Sequence, residues 1–276
     1  MPNTYAIRSS VTVSLVPEAR GGPFVFWDDF GDACRKAGDL GFDAIEVFPP
    51  SADVLKSQDV GGRLERHGLK LAAVGTGAGW VVKRLRLTDP DPAKREAAKQ
   101  FVRSIIDAAG EWGAPAIVGS MQGRWGDGVD RETAFGLLGE ALGGLGEHAR
   151  RHGVPLIYEP LNRYETNLVN DVAGGVKLLQ AIGNDNVKLL ADLFHMSIEE
   201  SDIARAIRAA GHHVGHVHLA DSNRRPAGCG HTDFAPVAEA LRQIGFKGYV
   251  SAEALPYPDP DTAARHTIRA FRQHFG

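Results

Sequence analysis

Eight short apolar or β-branched runs recur along the chain. They are AIRSSV (6–11), AIEVF (44–48), KLAAVG (70–75), AIVGS (116–120), PLIYEP (155–160), KLLADL (188–193), HVHLAD (216–221) and YVSAEA (249–254). Between them lie stretches whose apolar positions repeat at helical spacing, such as Pro92 to Trp112 and Arg131 to His152. In the latter, Phe135, Leu138, Ala141, Leu142 and Leu145 fall on one helical face. Gly41, Gly68, Gly113, Gly153, Gly183, Gly211 and Gly245 each stand shortly before the next strand, where a helix C-cap is expected. Strand–helix alternation makes the strands parallel, because each helix is a crossover. Eight such units close into a barrel, whereas an open doubly wound sheet usually has fewer. LPYPDPD (255–261) reads as the last strand-to-helix loop. Without a long linker, low-complexity tract or repeat, the expectation is α/β, a single (β/α)8 barrel domain over residues 1–276.

Composition narrows the partners. The chain is 43% hydrophobic and 24% charged with net charge −3, which gives no reason to expect a nucleic acid. Cys34 and Cys229 cannot build a disulfide framework, and neither belongs to a CxxC pair. MPNTYAIRSS lacks the basic start and apolar run of a signal peptide. No segment approaches the roughly 18 apolar residues of a membrane helix. A cytoplasmic chain with no membrane partner is expected; homo-oligomerisation is left open.

Parallel barrels place their chemistry at the C-terminal ends of the strands. Four consecutive runs there end in metal-ligand residue types: Glu159, Asp192, His218 and Glu253. Taken singly, an Asp or Glu at a strand end is more often a helix N-cap, an ion-pair partner or a solvated group. Four at equivalent positions suit one divalent ion of hard to borderline character. Mn²⁺ ranks first, with Mg²⁺, Co²⁺ and Zn²⁺ as alternatives. Polar residues follow closely in EPLNRYE (Asn162, Arg163, Glu165), DLFHM (His195) and HLADSNRR (Asp221, Asn223, Arg224). Together they suit a small polyhydroxylated ligand. For Asn162 a turn, for Arg163 a carboxylate partner and for His195 a buried, satisfied ring are the plainer readings.

EPLNRYE, LLADLFHMSIEE, GHVHLADSNRRPAGCGHTDF and YVSAEAL resemble the metal-dependent ketose 3-epimerases of the xylose-isomerase-like TIM-barrel superfamily. The resemblance covers about residues 155–255 and continues more loosely through GFDAIEVF and GTGAGW. GTGAGW…LRLTDPD and ADSNR…GCGH.DF are most similar to the 5-keto-L-gluconate epimerase branch. The resemblance implies metal ligands Glu159, Asp192, His218 and Glu253, with Glu159 and Glu253 also catalytic. It implies substrate contacts from Glu165, His195 and Arg224, with Glu165 holding His195 or a metal-bound water. The implied reaction is epimerisation of a keto-sugar or keto-sugar acid through a metal-stabilised cis-enediolate, with two opposed glutamates exchanging the proton.

The first half of the chain offers weaker candidates. Gly75, Thr76, Gly77 and Trp80 could face a sugar end, or form a glycine turn beside a packing residue. Gln122 and Arg124 could bind a substrate carboxylate, for which arginine is suited. Glu46 is open between the barrel mouth and a structural partner. His216 points the same way as His218 but deeper. His231 could line the site, and Asp233 could cap a helix. Aldose–ketose (hydroxypyruvate-type) isomerisation and keto-inositol dehydration are the alternative reactions on the same site. A metal-dependent DNA-repair endonuclease ranks below them, since it needs more strand-end histidines and a basic groove. A non-catalytic sugar-binding subunit also ranks below, given the intact ligand set.

Overall fold

The computed structural model describes residues 7–126 and 128–276. Eight parallel strands follow in chain order: β1 (Arg8–Ser14), β2 (Ala44–Phe48), β3 (Lys70–Gly75), β4 (Ala116–Val118), β5 (Leu156–Tyr158), β6 (Val187–Asp192), β7 (Val214–His218) and β8 (Tyr249–Ala252). Each pairs with the next. β1 also pairs with β8, Arg8 opposite Tyr249 and Val11 opposite Ala252, so the sheet closes into the expected barrel. A two-residue strand, Phe26–Trp27, lies beside the end of β1. All eight expected runs overlap a strand: 44–48 and 70–75 match theirs end to end, and the other six have shifted ends. β1 continues to Ser14, whereas Ala6, which opened the expected run, lies outside the described residues.

Local signals set the helix ends. Asp29, Asp91, Asp130, Asp171, Asp192, Asp202, Asp233 and Asp259 each accept a first-turn backbone N–H with the side chain. Those donors would otherwise be unpaired. The seven glycines singled out in the sequence all have positive φ. At Gly41 (φ 76°, ψ 38°) the backbone N–H returns to the carbonyl of Ala37 and ends the helix Phe30–Leu40. A residue with a Cβ would be strained there.

The helix Arg131–Arg150 buries Leu138, Ala141, Leu142 and Leu145 in the core around the barrel, while Phe135 is only partly covered. Each leucine stabilises the layer by roughly 1.5–3 kcal/mol. Inside the barrel, Ala73, Ile117, Ile157 and Leu190 of β3–β6 form a small separate apolar cluster. β1, β2, β7 and β8 also bury polar residues: Ser10, Glu46, His216 and Ser251. Side chains on a strand alternate, so the residue two further along faces the same way, one layer nearer the mouth. On β3–β8 those next-layer positions are Gly75, Gly119, Glu159, Asp192, His218 and Glu253.

Candidate active site

The four ligand-type residues of that layer converge. His218 Nδ1 lies 3.3 Å from Asp192 Oδ2, 3.5 Å from Glu253 Oε2 and 3.6 Å from Glu159 Oε1. One ligand atom from each residue falls within 4.8 Å of the others. Asp192 Oδ1 meanwhile accepts the N–H groups of Phe194 and His195 at 2.7 and 2.9 Å, capping the helix Leu193–Glu199. The cap and the place in the cluster therefore fall to different oxygens of one carboxylate. Gly119 makes room for its neighbour on β5: a Cβ there would stand 2.3 Å from Glu159 Oε2.

The charges are strongly coupled. Burial pushes the Glu159 carboxyl above its ordinary value, and Glu253 adds to this against the pull of His218. Burial would also raise Asp192, but His195, His218 and Arg224 hold it well below the usual carboxylate range. Burial disfavours a charged His218, yet Glu46 and Glu253 hold its proton affinity well above the ordinary imidazole value. The residues thus fit a divalent cation. Three carboxylates gather around one imidazole, and that imidazole is the group driven to carry positive charge.

Behind His218 lies Glu46, buried on β2. Its Oε1 accepts the Nε2–H of His218 at 3.0 Å and its Oε2 accepts the Nε2–H of His216 at 2.7 Å. With the Nε2–H held by Glu46, Nδ1 is the nitrogen that faces the three carboxylates and can exchange its proton for a cation, as a metal-ligating histidine requires. Glu46 is therefore a structural partner of the cluster, and His216 is a buried histidine one layer down.

On the open side, His195 is buried with Nδ1 accepting the backbone N–H of Asn162 at 3.3 Å. The Asn162 side-chain nitrogen also approaches Nδ1, at 2.7 Å, and donates to Glu165 Oε1 at 3.2 Å. This leaves the proton on Nε2, which has no hydrogen-bond partner among the described residues and lies 3.7 Å from Glu159 Oε1. Arg224, at φ 60°, reaches Glu165 at 3.2 Å and Glu253 at 3.4 Å, its guanidinium 4.7 Å over the Phe194 ring. The loop holding it folds around Asp221, whose carboxylate accepts the N–H groups of Ser222, Gly228 and Thr232. Asn223 donates to the Cys229 carbonyl, so it too serves that loop. Arg163 pairs with Glu199 at 2.7 Å, its plainer reading.

Glu159, Glu165, His195, His218, Arg224 and Glu253 line one cavity of about 290 Å³. Gly75, Thr76 and Gly77 line it too, as do Glu18, Arg20, Phe24 and Phe48, which carried no recognisable signal in the sequence. Four of the weaker candidates do not line the cavity. Gln122 does not face the cavity: it is fully buried, its amide donates to the carbonyls of Gly119 and Glu159, and it accepts the Tyr158 hydroxyl. Arg124 is exposed outside the cavity, and Trp80 packs on the core beneath the Arg84 guanidinium. His231 is likewise exposed away from it.

Residues 34–274 match the xylose isomerase-like TIM barrel family. A D-psicose 3-epimerase of Agrobacterium fabrum strain C58 is 32% identical over 231 residues, 81% of this chain and 78% of that protein. A 3-dehydro-D-guloside 4-epimerase of Escherichia coli strain K12 is 29% identical over 255 residues, 86% of this chain and 92% of that protein. Among solved structures, a D-psicose 3-epimerase crystallised in the presence of D-fructose matches with a TM-score of 0.80 at 25% identity, covering 98% of this chain and 100% of that one. The chain belongs to the xylose isomerase-like TIM barrel family, within its ketose 3-epimerase group.

Proposed function

We propose that the protein is a divalent-metal-dependent epimerase of a keto-sugar or keto-sugar acid, built as one domain and working in the cytoplasm. The observation that carries this reading is the convergence of Glu159, Asp192, His218 and Glu253 beside a buried donor, His195 Nε2, that has no hydrogen-bond partner among the described residues. The names of the relatives share a chemical step. Psicose C3 and guloside C4 each lie next to a ketone, so both names describe inversion of a carbon made weakly acidic by a carbonyl.

Glu159, Asp192, His218 and Glu253 would hold the cation, with Mn²⁺ preferred for a set of three carboxylates and one imidazole. When bound, it supplies positive charge that lowers the energy of the deprotonated substrate. Glu159 and Glu253 rise from β5 and β8, with two strands between them. That separation suits one carboxylate taking the proton from one face of the reacting carbon while the other returns a proton to the opposite face. Such positioned proton transfer contributes about 10²–10⁴-fold. His195 Nε2–H and the Arg224 guanidinium donate to the oxygens flanking the reacting carbon. Glu165 fixes Arg224 and Asn162, and through Asn162 the His195 tautomer. The Phe24 and Phe48 rings shield the far side from water.

The test incubates Mn²⁺-loaded protein in D2O with ketoses and keto-sugar acids. Deuterium at the carbon beside the ketone, together with the new epimer, is expected. Label with an aldose product would redirect the reading to isomerisation, and loss of a hydroxyl to dehydration. No uptake on any substrate with Mn²⁺, Co²⁺ or Mg²⁺ would refute it.

A further inference from the structure

A second group of ligand-type residues lies at the other end of the barrel. Asp107 sits one turn before the end of the helix Pro92–Gly110, and His148 in the last turn of the helix Arg131–Arg150. His152 follows in the turn beyond. These helices run antiparallel to the strands, so their C-terminal ends lie at the face opposite the cavity. Asp107 Oδ1 is 2.6 Å from His148 Nε2 and 2.8 Å from His152 Nε2. The two imidazole centroids are 6.1 Å apart, and the three ligand atoms fall within 4.8 Å of one another.

The chain is shaped for this convergence. The i, i+4 spacing of His148 and His152 brings both rings to one side. Gly110 leaves the space that the His152 ring fills: a Cβ there would stand 2.5 Å from the imidazole Cγ. Burial would raise the Asp107 carboxyl, but His148 and His152 hold it below its ordinary value, so it stands ionised. The carbonyl ends of both helices add a negative potential. Half of the Asp107 side chain is exposed, which leaves a path from solvent.

We propose that Asp107, His148 and His152 form a peripheral site for a zinc-class cation (Zn²⁺, Co²⁺, Ni²⁺ or Cu²⁺) that ties the two helices together. Two imidazole nitrogens and one carboxylate oxygen supply three positions of a tetrahedron, and water the fourth. Nitrogen-rich sites select these ions over Mg²⁺ and Mn²⁺, which prefer oxygen. The site is thus distinct in chemistry from the carboxylate-rich cluster at the mouth, and it stands whether or not the proposed function does.

Equilibrium dialysis of the full chain against ZnCl2 tests it, with thermal melting in parallel. Wild type is expected to bind two Zn²⁺ per chain, H148A/H152A one, and D192N one. D107N, which keeps both rings, should fold normally and bind its second Zn²⁺ more weakly. The Zn²⁺-dependent rise in Tm should persist in D192N and shrink in H148A/H152A. Two Zn²⁺ retained by H148A/H152A would overturn the proposal. So would a wild type that binds one Zn²⁺ and loses it in D192N, which would mean Asp107 merely accepts two histidine hydrogen bonds.

Discussion

Substituting Glu46 tests how the barrel interior prepares the cluster above it. Glu46 lines the cavity and receives both His216 and His218. Burial would raise its carboxyl, but His218 and His216 hold it far below the usual range, so it is charged. At 3.0 Å, a unit charge on His218 and the carboxylate attract by about 5.5 kcal/mol at an effective dielectric of 20. Only part of that survives as net binding, since a hydrogen bond to a charged group is worth about 1.5–3 kcal/mol. Partners behind a metal-ligating histidine typically change metal affinity about 10–100-fold, or about 1.4–2.8 kcal/mol, which agrees. Glu46→Gln keeps an acceptor oxygen but loses the charge, so Mn²⁺ affinity should fall about tenfold. Glu46→Leu removes the acceptor that fixes the Nε2–H, so affinity should fall about a hundredfold. Calorimetric Mn²⁺ titration gives the affinities, and ¹⁵N shifts of His218 in metal-free protein report its protonation, which should drop in Glu46→Leu because Glu46 helps hold that proton. A folded Glu46→Leu chain with wild-type Mn²⁺ affinity and His218 protonation would refute the reasoning.

Three further outcomes follow. Gly119→Ala should leave the fold intact but push Glu159 aside; displacing a reacting group by about 1 Å lowers kcat/KM about 10²-fold, measurable in the exchange assay. Gln122→Leu should lower stability by about 2–4 kcal/mol, because the Tyr158 hydroxyl and two carbonyls lose their partner, and chemical denaturation would register it. A substrate-contact role would instead raise KM without moving the denaturation midpoint. For Glu159 the folded carboxyl titrates above its ordinary 4.5, so the metal-free folded state keeps that proton to higher pH than the unfolded chain. Its contribution to stability is present below the ordinary value and is lost as pH rises through the raised one. The melting temperature of metal-free Glu159→Gln should therefore gain on wild type as pH rises above 4.5. Wild-type Mn²⁺ affinity should climb over the same window, because binding needs the ionised carboxylate. A Tm difference flat with pH would contradict this.

What the sequence made legible was whatever depends on local periodicity. Glu159, Asp192, His218 and Glu253 each end a readable apolar run, so strand alternation alone places them on one face. Asp233 and the positive-φ glycines were similarly readable, since caps and terminators act within one helical turn. Glu46 was open because its meaning depends on closure: His218 is 172 residues away and becomes its neighbour only when β2 and β7 share one barrel. Gln122 misled for a related reason. A polar residue after a strand reads as a loop residue, but here Ser120–Gln122 turns inward as a short 3-10 helix. Its buried amide bridges the ends of β4 and β5. Phe24 and Phe48 are apolar, and nothing in an apolar residue's type distinguishes a cavity wall from core.

The barrel's two halves also explain where the cavity opens. In the layer above Ala73 and Ile117 the chain places Gly75 and Gly119, whereas above Ile157, Leu190, His216 and Ser251 it places the four ligand-type residues. Removing side chains from one half and concentrating carboxylates in the other produces a void on the β3–β4 side of the cluster. A Cβ at Gly75 would stand 2.8 Å from the Phe48 ring, and one at Gly77 at the same distance, so these glycines also let that ring lie against the cavity. Phe48 in turn packs against Phe24, with ring centroids 4.6 Å apart and planes tilted by 31°. A substrate with its reacting carbon between Glu159 and Glu253 must extend its remaining carbons toward this aromatic wall and the Glu18–Arg20 rim. On the proposed function, the chemistry rests on β5–β8 and discrimination among keto-sugars falls to the loops after β1–β4. Phe48→Ala should accordingly change the ratio of kcat/KM between short and long ketoses far more than it changes proton exchange at the reacting carbon. Equal losses on every substrate would show that the ring supports the cluster itself.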